Sequence, residues 1–270
     1  MRVLVLADGG HEAGLGHVSR AAGLTAALRE RGVEVDAQVL EATEHVQRLE
    51  AADVVVLDSY RVQPEDLSTT APVVAFHDAG DPPAGAVLVV DGTSFEHACL
   101  RPAFWNLPAR QVSDAVELVV VSTGGGGEAW ADYPGHVRRA VPHATVVAVR
   151  GPYARGNPPD EVEVLDAPGS LAEVFLKADI AVVGAGQTML EAAAAGTPTV
   201  SVVLVDNQRR QAERLAALEA VVLADPRSLA SKVMALSSDP EWRYRLSAHA
   251  QAAIDGQGAR RVAALVEELG

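Results

Sequence analysis

Short apolar runs alternate with helical segments along the first half of the chain, and this alternation constrains the fold more than any other feature. A strand, a helix and a second strand form the unit from which mainly parallel sheets are built. The pattern predicts strands at residues 2–7, 33–40, 53–58, 72–76 and 87–90. Helices are predicted after the first strand, over residues 42–49 and from Pro64. The first part of the chain is therefore expected to be an α/β domain.

The alternation stops between about residues 99 and 113 and then starts again. This break contains Pro102, Pro108 and the bulky pair Phe104 and Trp105, which indicates a domain boundary. Beyond it, strands are predicted at residues 117–121, 144–149, 161–165, 179–183, 199–205 and 220–223. We expect an N-terminal domain over residues 1–110, a second domain over 111–242, and C-terminal helices over 243–270 that pack back across the domains.

A glycine-rich loop joins the first strand to the first helix. Gly14 and Gly16 allow the backbone to approach a ligand closely. His17 and Arg20 follow in the first helical turn, where free backbone N–H groups and the helix dipole favour an anion. This arrangement predicts a phosphate site with an imidazole beside it. The same residues also fit an ordinary tight turn followed by an exposed or capping histidine.

Polar side chains follow several of the predicted strands in the first domain. They are Asp8, Asp58, Tyr60, His77 and Asp78. In open α/β sheets, ligands bind at the carboxyl ends of the strands, so these side chains are expected to line a pocket. Each aspartate fits equally well as the cap of the helix that follows it.

Two glycine turns in the second domain are further candidate anion sites. One contains four consecutive glycines at residues 124–127, and the other runs from Gly184 to Gly186 into a helix. Backbone amides at such turns suit a diphosphate, and Glu191 in the helix could accept hydrogen bonds from a ribose diol. Asn207 and Gln208, after the next strand, suit contacts with sugar or phosphate. A flexible connector, a surface glutamate and a helix cap at Asn207 are the alternatives.

The composition excludes several classes of protein. A formal net charge of −14 argues against broad nucleic-acid binding, which needs a basic surface. No apolar run approaches the roughly 20 residues of a membrane span, and strand residues begin where a signal peptide would lie, so we expect a cytoplasmic protein without membrane insertion. Cys99 is the single cysteine and is expected to be a small buried hydrophobic residue. No metal cluster is visible in the sequence, and no cofactor is expected.

Six motifs, taken in their order along the chain, resemble those of a known family. They are Gly14 to Arg20, Asp58-Ser59-Tyr60, Phe76-His77-Asp78, the four glycines, Gly186 to Gly196 with Glu191, and Asn207-Gln208. The family is the UDP-sugar hydrolase of pseudaminic acid biosynthesis with its spore-coat-polysaccharide relatives, which are similar in turn to the lipid-linked peptidoglycan N-acetylglucosaminyltransferase. The resemblance covers nearly the whole chain. It implies an α/β fold of the GT-B type, with two Rossmann-like domains facing across a cleft.

The resemblance also implies roles for individual residues. The histidine of the glycine-rich loop, important for catalysis in the family, falls on His17. The nucleotide-binding glycine turn and helix glutamate fall on Gly184, Gly186 and Glu191. The family's Asn-Gln pair near the active site falls on Asn207 and Gln208.

Three motifs depart from the family pattern. Asp58-Ser59-Tyr60 lacks the histidine of the family's Asp-His-Tyr, and Phe76-His77-Asp78 stands in place of Phe-Asp-Asp. The four glycines and Glu128 replace the usual Gly-Gly-Thr/Ser-Asp. The general class is unaffected by these departures, but they leave the sugar and the nucleotide open.

The residues and the resemblance together predict hydrolysis of a nucleotide-activated sugar, UDP-linked in the family, at its anomeric carbon with inversion. His17 would orient or deprotonate the attacking water, and backbone amides near Gly186 would stabilise the leaving diphosphate. The candidate catalytic residues are His17, Asp58, Tyr60 and Asn207. The candidate substrate-binding residues are Gly14, Gly16, Arg20, Gly124, Gly125, Gly184, Gly186, Gln187, Thr188, Glu191 and Gln208.

Two alternatives remain open. An inverting glycosyltransferase would use the same donor site and pass the sugar to an acceptor hydroxyl. The absence of an obvious apolar patch for a lipid acceptor favours hydrolysis over this alternative. A non-catalytic protein that binds a nucleotide sugar is the second alternative, and the sequence leaves the oligomeric state undetermined.

Overall fold

A computed structural model describes residues 1–10, 13–40, 52–127, 129–166, 168 and 170–270. The chain forms two compact units, the first from residues 1–105 and 256–270 and the second from residues 106–255. The boundary expected at residue 110 thus falls inside the second unit, and the helices of residues 243–270 are divided between the two units. The helix predicted over residues 42–49 lies outside the described residues.

The first unit contains a fully parallel five-stranded sheet. Its strands lie in the order β2-β1-β3-β4-β5. In chain order the elements are β1 (Arg2–Asp8), α1 (Gly16–Glu30), β2 (Glu34–Leu40), β3 (Val54–Asp58), β4 (Val73–His77) and β5 (Leu88–Asp91), with short 3₁₀ turns at Pro64–Asp66 and Pro102–Phe104.

Strand β1 is apolar from Val3 to Ala7 because both faces of this sheet are covered. Val3 and Val5 pack into the cluster that contains Leu24 and Leu28 of α1. Leu4 and Leu6 point to the opposite face, into a second cluster. A parallel strand buried on both faces shows a continuous apolar run instead of an alternating one.

The second unit contains a fully parallel six-stranded sheet in the order β10-β8-β6-β11-β12-β13, and the two-residue strands β7 and β9 pair separately. Its elements are β6 (Leu118–Ser122), β7 (Gly126–Gly127), α2 (Ala129–Ala140), β8 (Thr145–Arg150), β9 (Tyr153–Ala154), β10 (Glu163–Asp166), α3 (Ala172–Lys177), β11 (Ile180–Gly184), α4 (Gln187–Ala194), β12 (Thr199–Val202), α5 (Arg209–Ala217), β13 (Val222–Ala224), α6 (Leu229–Ser238) and α7 (Pro240–Ala253).

The last helix, α8 (Gly258–Glu267), returns to the first unit. Val262 and Val266 of α8 belong to the same buried cluster as Leu24 and Leu28 of α1. At its edges, Arg260 pairs with Glu30, and Arg31 pairs with Glu267. The core of the first unit is therefore built from the two ends of the chain.

The side chain of Arg243 in α7 links the first residues of the second unit to the helices of the same unit. The side chain is completely buried, and its Nη1 atom donates to the carbonyl oxygens of Leu236 at 2.9 Å and Ser237 at 2.8 Å. Its Nη2 atom donates to the carbonyl oxygens of Ser113 at 3.0 Å and Asp114 at 2.7 Å. One guanidinium thus satisfies the end of α6 and the segment that leads into β6.

We expect Arg243→Met to lower the free energy of unfolding by about 3 kcal/mol, because four carbonyl oxygens lose a charged donor. Urea denaturation followed by circular dichroism measures the change. Arg245, which is exposed on the same helix, provides the control, since Arg245→Met should cost less than about 0.5 kcal/mol. Equal losses in the two variants would contradict the assignment.

Candidate active site

The site in the first unit is built around His17, a buried residue in the first turn of α1. Its Nδ1 atom lies 2.6 Å from Oδ1 of Asp58, the last residue of β3. Asp58 is 1% exposed, and an ionised carboxylate only accepts hydrogen bonds. Nδ1 is therefore the donor, and this bond fixes both the tautomer and the orientation of the imidazole.

Arg20 lies one turn further along α1, on the same face as His17. Its Nε and Nη2 atoms donate to the two oxygens of Asp58 at 2.7 and 2.5 Å. Its Nη1 and Nη2 atoms donate to the two oxygens of Asp78, just beyond β4, at 2.7 and 3.1 Å. Nη1 also lies 3.3 Å from the carbonyl oxygen of Gly92. The guanidinium is thus held between two carboxylates.

These contacts differ from the anion-binding role that the sequence suggested for Arg20. The residue is 8% exposed, and its guanidinium lies over the ring of Phe76, 4.7 Å from the centroid. Its N–H donors are directed at protein oxygens, which leaves a phosphate no bidentate edge to bind. We therefore assign Arg20 to the positioning of Asp58 and Asp78.

Both carboxylates are held in the ionised form. Burial alone would raise the pKa of Asp58, but the charge of Arg20 and the hydrogen bonds from His17 and Arg20 keep that pKa well below its usual range. Burial likewise opposes the ionisation of Asp78, yet Arg20 and the Tyr60 hydroxyl lower its pKa. Although burial disfavours the cation, the two carboxylates raise the pKa of Arg20 well above its ordinary value.

Tyr60 closes this cluster from another side. Its hydroxyl donates to Oδ2 of Asp78 at 2.5 Å, and its ring meets the imidazole of His17 edge to face, with centroids 4.6 Å apart. Its backbone N–H donates to the buried carboxylate of Asp8 at 2.9 Å, which anchors the loop. Tyr60 is 50% exposed, so a ligand in solution can reach its ring.

The pocket residues predicted from the strand ends separate into two groups. Asp8, Asp58, Tyr60 and Asp78 are linked by the contacts described above. His77 does not join them, because its Nε2 atom donates to the carbonyl oxygen of Gly80 at 3.0 Å. A hollow beside the cluster is lined by Ser59, Tyr60, Gln63, Phe76, His77 and Asp78, among others.

The glycines of the first loop differ in their backbone conformation. Gly14 has a φ of +72°, a value that L-residues rarely adopt, whereas Gly16 is the first residue of α1. His11 and Glu12 of the same loop lie outside the described residues. Ligand binding by this loop stays a prediction.

In the second unit, the turns after β6, β11 and β12 meet at the carboxyl edge of the sheet. Gly124 has a φ of +73°, and a Cβ there would lie 3.1 Å from Oγ1 of Thr188. A Cβ on Gly186, the N-cap of α4, would lie 3.2 Å from Nε2 of Gln208. Oε1 of Gln208 accepts from the backbone N–H of Leu204 at 3.0 Å. The structure therefore brings together three turns that the sequence singled out separately.

Two further glycines of this region allow backbones to come close. A Cβ on Gly151, after β8, would lie 2.2 Å from the carbonyl oxygen of Gly124, so no side chain fits there. Gly125 accepts a hydrogen bond from Tyr153 at 2.7 Å, and Gly184 lies against Leu204. The turn of four glycines is therefore fixed by its neighbours, although Glu128 at its end lies outside the described residues.

The remaining candidates of the second unit lie on α4 and in a short turn. Gln187 is the first residue of α4, and Thr188 and Glu191 are buried, at 8% and 3% exposed. Asn207 is exposed in the 3₁₀ turn Asp206–Gln208. Their contacts with a ligand, and the catalytic role of Asn207, stay predictions.

Within the described ranges, no group of three or more histidine, cysteine, aspartate or glutamate side chains is placed to hold a metal ion. None of the described helices is long and apolar enough to cross a membrane. Cys99 is completely buried as expected, and burial raises the pKa of its thiol to about 12. The thiol is therefore protonated and unreactive at neutral pH.

Sequence reasoning missed how Arg20 and Asp78 act together. Asp78 was only one of several strand-end residues, and an arginine at a helix N-terminus is typical of anion binding. Two signals pointed to the arrangement: the three-residue spacing of His17 and Arg20 on one helix face, and aspartates at the ends of two strands that follow one another in the sequence.

No family model matches the chain, and the search of curated proteins found no match for its sequence. Solved structures do match. MurG of Acinetobacter baumannii is 15% identical, with 99% of each chain covered and a TM-score of 0.64. The Streptomyces sp. SF2575 glycosyltransferase SsfS6, solved with thymidine diphosphate, is 16% identical, with 99% of each chain covered and a TM-score of 0.64. The chain has the GT-B fold.

A third structure with the same GT-B fold is the spinosyn rhamnosyltransferase SpnG, solved with spinosyn aglycone. It is 15% identical, with 100% of each chain covered and a TM-score of 0.64. The fold class predicted from the sequence is confirmed. At these identities the likeness establishes the fold alone, and the specific hydrolase family stays a prediction.

The buried carboxylates predict how stability depends on pH. Because the pKa of Asp58 is lowered by folding, its contribution is complete above the ordinary aspartate pKa of about 3.9 and is lost as the pH falls below that value. Urea titrations between pH 2 and 7 should show this loss, and Asp58→Asn should be less stable at neutral pH but lose less stability on acidification.

Asp36 provides the control for this experiment, because its carboxylate accepts an exposed hydrogen bond from Gln38 on the edge strand β2. Asp36→Asn should keep the acid dependence of the wild type. The same flattening in both variants would contradict the role of the buried cluster.

Proposed function

We propose that the protein transfers a sugar from a nucleoside diphosphate to a hydroxyl group, with His17 as the general base. The 2.6 Å bond between His17 and Asp58, in a fold shared with glycosyltransferases, carries this proposal. Because Nδ1 donates to Asp58, Nε2 holds the lone pair of the ring. No described residue hydrogen-bonds to Nε2. A hydroxyl placed there would lose its proton to His17 as its oxygen attacks the anomeric carbon.

The second unit carries groups that suit a nucleoside diphosphate. Backbone amides of the turns at Gly124 and Gly186, together with the N-terminus of α4, would stabilise the negative charge that develops on the diphosphate. Glu191 would accept hydrogen bonds from the ribose, and Gln208 lies beside Gly186. Attack from the side opposite the diphosphate would invert the anomeric configuration.

Transfer to an acceptor hydroxyl is the main candidate, because the solved structures of similar fold include SsfS6 with thymidine diphosphate and SpnG with its aglycone. Hydrolysis is the second candidate. It is supported by the resemblance of the Gly14 to Arg20 motif to that of the UDP-sugar hydrolases. The two reactions differ only in whether an acceptor or water supplies the hydroxyl at His17.

We expect the wild-type protein to release nucleoside diphosphate from at least one member of a panel of UDP- and TDP-sugars. His17→Gln should lower kcat by about 100-fold or more, the usual contribution of a general base. Arg29→Gln is the control, because Arg29 lies on the same helix and its Nη2 donates to the carbonyl oxygen of Val35, away from the cluster. Diphosphate release measures the rate.

Proton NMR of the products separates the candidate reactions. Release that depends on an added acceptor indicates transfer, and acceptor-independent release of the free sugar indicates hydrolysis. No turnover across the panel, or full activity in His17→Gln, would overturn the proposal.

Nucleotide binding by the second unit can be tested without turnover. We expect Glu191→Gln to weaken the binding of UDP or TDP about tenfold, because a charged acceptor for the ribose hydroxyls is lost. Isothermal titration calorimetry measures the affinity. Glu213→Gln, at an exposed position on α5, should bind as tightly as the wild type. Unchanged affinity in a folded Glu191→Gln protein would remove the ribose assignment.

A further inference from the structure

His17 occupies a position that disfavours a positive charge on its ring. It lies in the first turn of α1, at the positive end of the helix dipole. The Nη2 atom of Arg20, a permanent cation, lies only 3.3 Å from Nδ1 of His17. A general base must accept a proton during the reaction, so the surroundings have to compensate a charge that these two neighbours oppose.

Asp58 alone does not provide this compensation. Its carboxylate already pairs with Arg20 through two hydrogen bonds, and together the two side chains are neutral. Protonation of His17 beside that pair would leave one uncompensated positive charge in a buried cluster, which is costly. Asp78 changes this balance, because it brings a second carboxylate to the other edge of Arg20.

We propose that Asp78 is the counter-charge that lets His17 act as a base, working through Arg20 and Asp58 without touching the reacting atoms. With His17 neutral, the two carboxylates and Arg20 carry one net negative charge, and proton uptake by His17 brings the cluster to neutrality. Asp78 is thus a positioning residue, and this inference rests on the proposed function.

The other groups around His17 leave this charge count unchanged. Tyr60 is uncharged and donates its hydroxyl hydrogen to Asp78. Asp8, beside the Tyr60 loop, forms an ion pair with a different cation, since Arg61 lies 3.1 Å from its Oδ1 atom. The thiol of Cys99 is protonated, because burial raises its pKa to about 12. Of the two carboxylates that pair with Arg20, Asp78 is therefore the one whose charge is not balanced while His17 is neutral.

The test compares variants that change the charge of the cluster in opposite directions. Asp78→Asn removes a negative charge with little change of shape, so the acidic limb of the pH profile of kcat/KM should move to lower pH by about one unit. The weaker base should also lower kcat about threefold at the plateau, with KM unchanged. Arg20→Gln removes the positive charge, so the acidic limb should move to higher pH.

The proposal is supported if the acidic limb moves in opposite directions in Asp78→Asn and Arg20→Gln. A purely structural role of the two residues does not produce opposite shifts. Movement in the same direction, or no movement in folded variants, overturns it. Asp36→Asn and Arg29→Gln are the matched controls for charge, and both should keep the wild-type profile. Circular dichroism establishes which variants are folded.

Tyr60→Phe keeps the proposal testable if Arg20→Gln or Asp78→Asn does not fold. Loss of the hydroxyl leaves the negative charge of Asp78 less dispersed, so the acidic limb should move to higher pH by less than in Arg20→Gln. A shift to lower pH, or none, counts against the proposal.

A second readout separates this inference from the proposed function. The imidazole resonances of His17, assigned by their loss in His17→Gln, can be followed by ¹H–¹⁵N NMR as the pH is varied. The midpoint of this titration should fall in Asp78→Asn and rise in Arg20→Gln, even if no nucleotide sugar is turned over. Absence of turnover would then end the proposed function alone, whereas unmoved midpoints would end the inference.

Discussion

The buried guanidinium of Arg20 between Asp58 and Asp78 is the interaction on which the first unit depends. Three ions are withdrawn from water in this cluster, and only well-aligned hydrogen bonds offset a desolvation cost of several kcal/mol for each. The bonds tie α1 to the ends of β3 and β4 and to the segment after β5. This arrangement also sets the orientation of the His17 imidazole, because Arg20 holds in place the Asp58 carboxylate that the ring contacts.

The fold was largely predictable from local pattern. The continuous apolar run of β1 indicated a strand buried on both faces, and the restart of the alternation after the break indicated a second sheet. What local pattern did not predict was the division of the C-terminal helices. The side chain of Arg243 bonds to Ser113 and Asp114, far away in sequence, and this keeps α7 in the second unit. The apolar face of α8 packs against α1 instead. Amphipathicity predicts that a helix has a buried face, but it does not predict which element covers that face.

The residues of the candidate site were more predictable than the contacts between them. The positions of Asp58, Tyr60 and Asp78 at the ends of predicted strands indicated that they belong to one site, since the carboxyl ends of parallel strands share one edge of a sheet. The partner of Arg20 was not predictable in the same way, because it depends on β3 and β4 being neighbours in the sheet order. In the second unit, the closeness of Gly124 to Thr188 likewise follows from β6 lying next to β11.

The return of α8 to the first unit has a consequence for biosynthesis. The α1 side of the first sheet is completed by Ala259, Val262, Ala263 and Val266, which are synthesised after the whole of the second unit. Until then, the buried cluster that contains Leu24 and Leu28 lacks these four residues. The residues of the second unit form one uninterrupted segment that is synthesised before α8. Completion of the first unit therefore has to wait until the second unit has been translated.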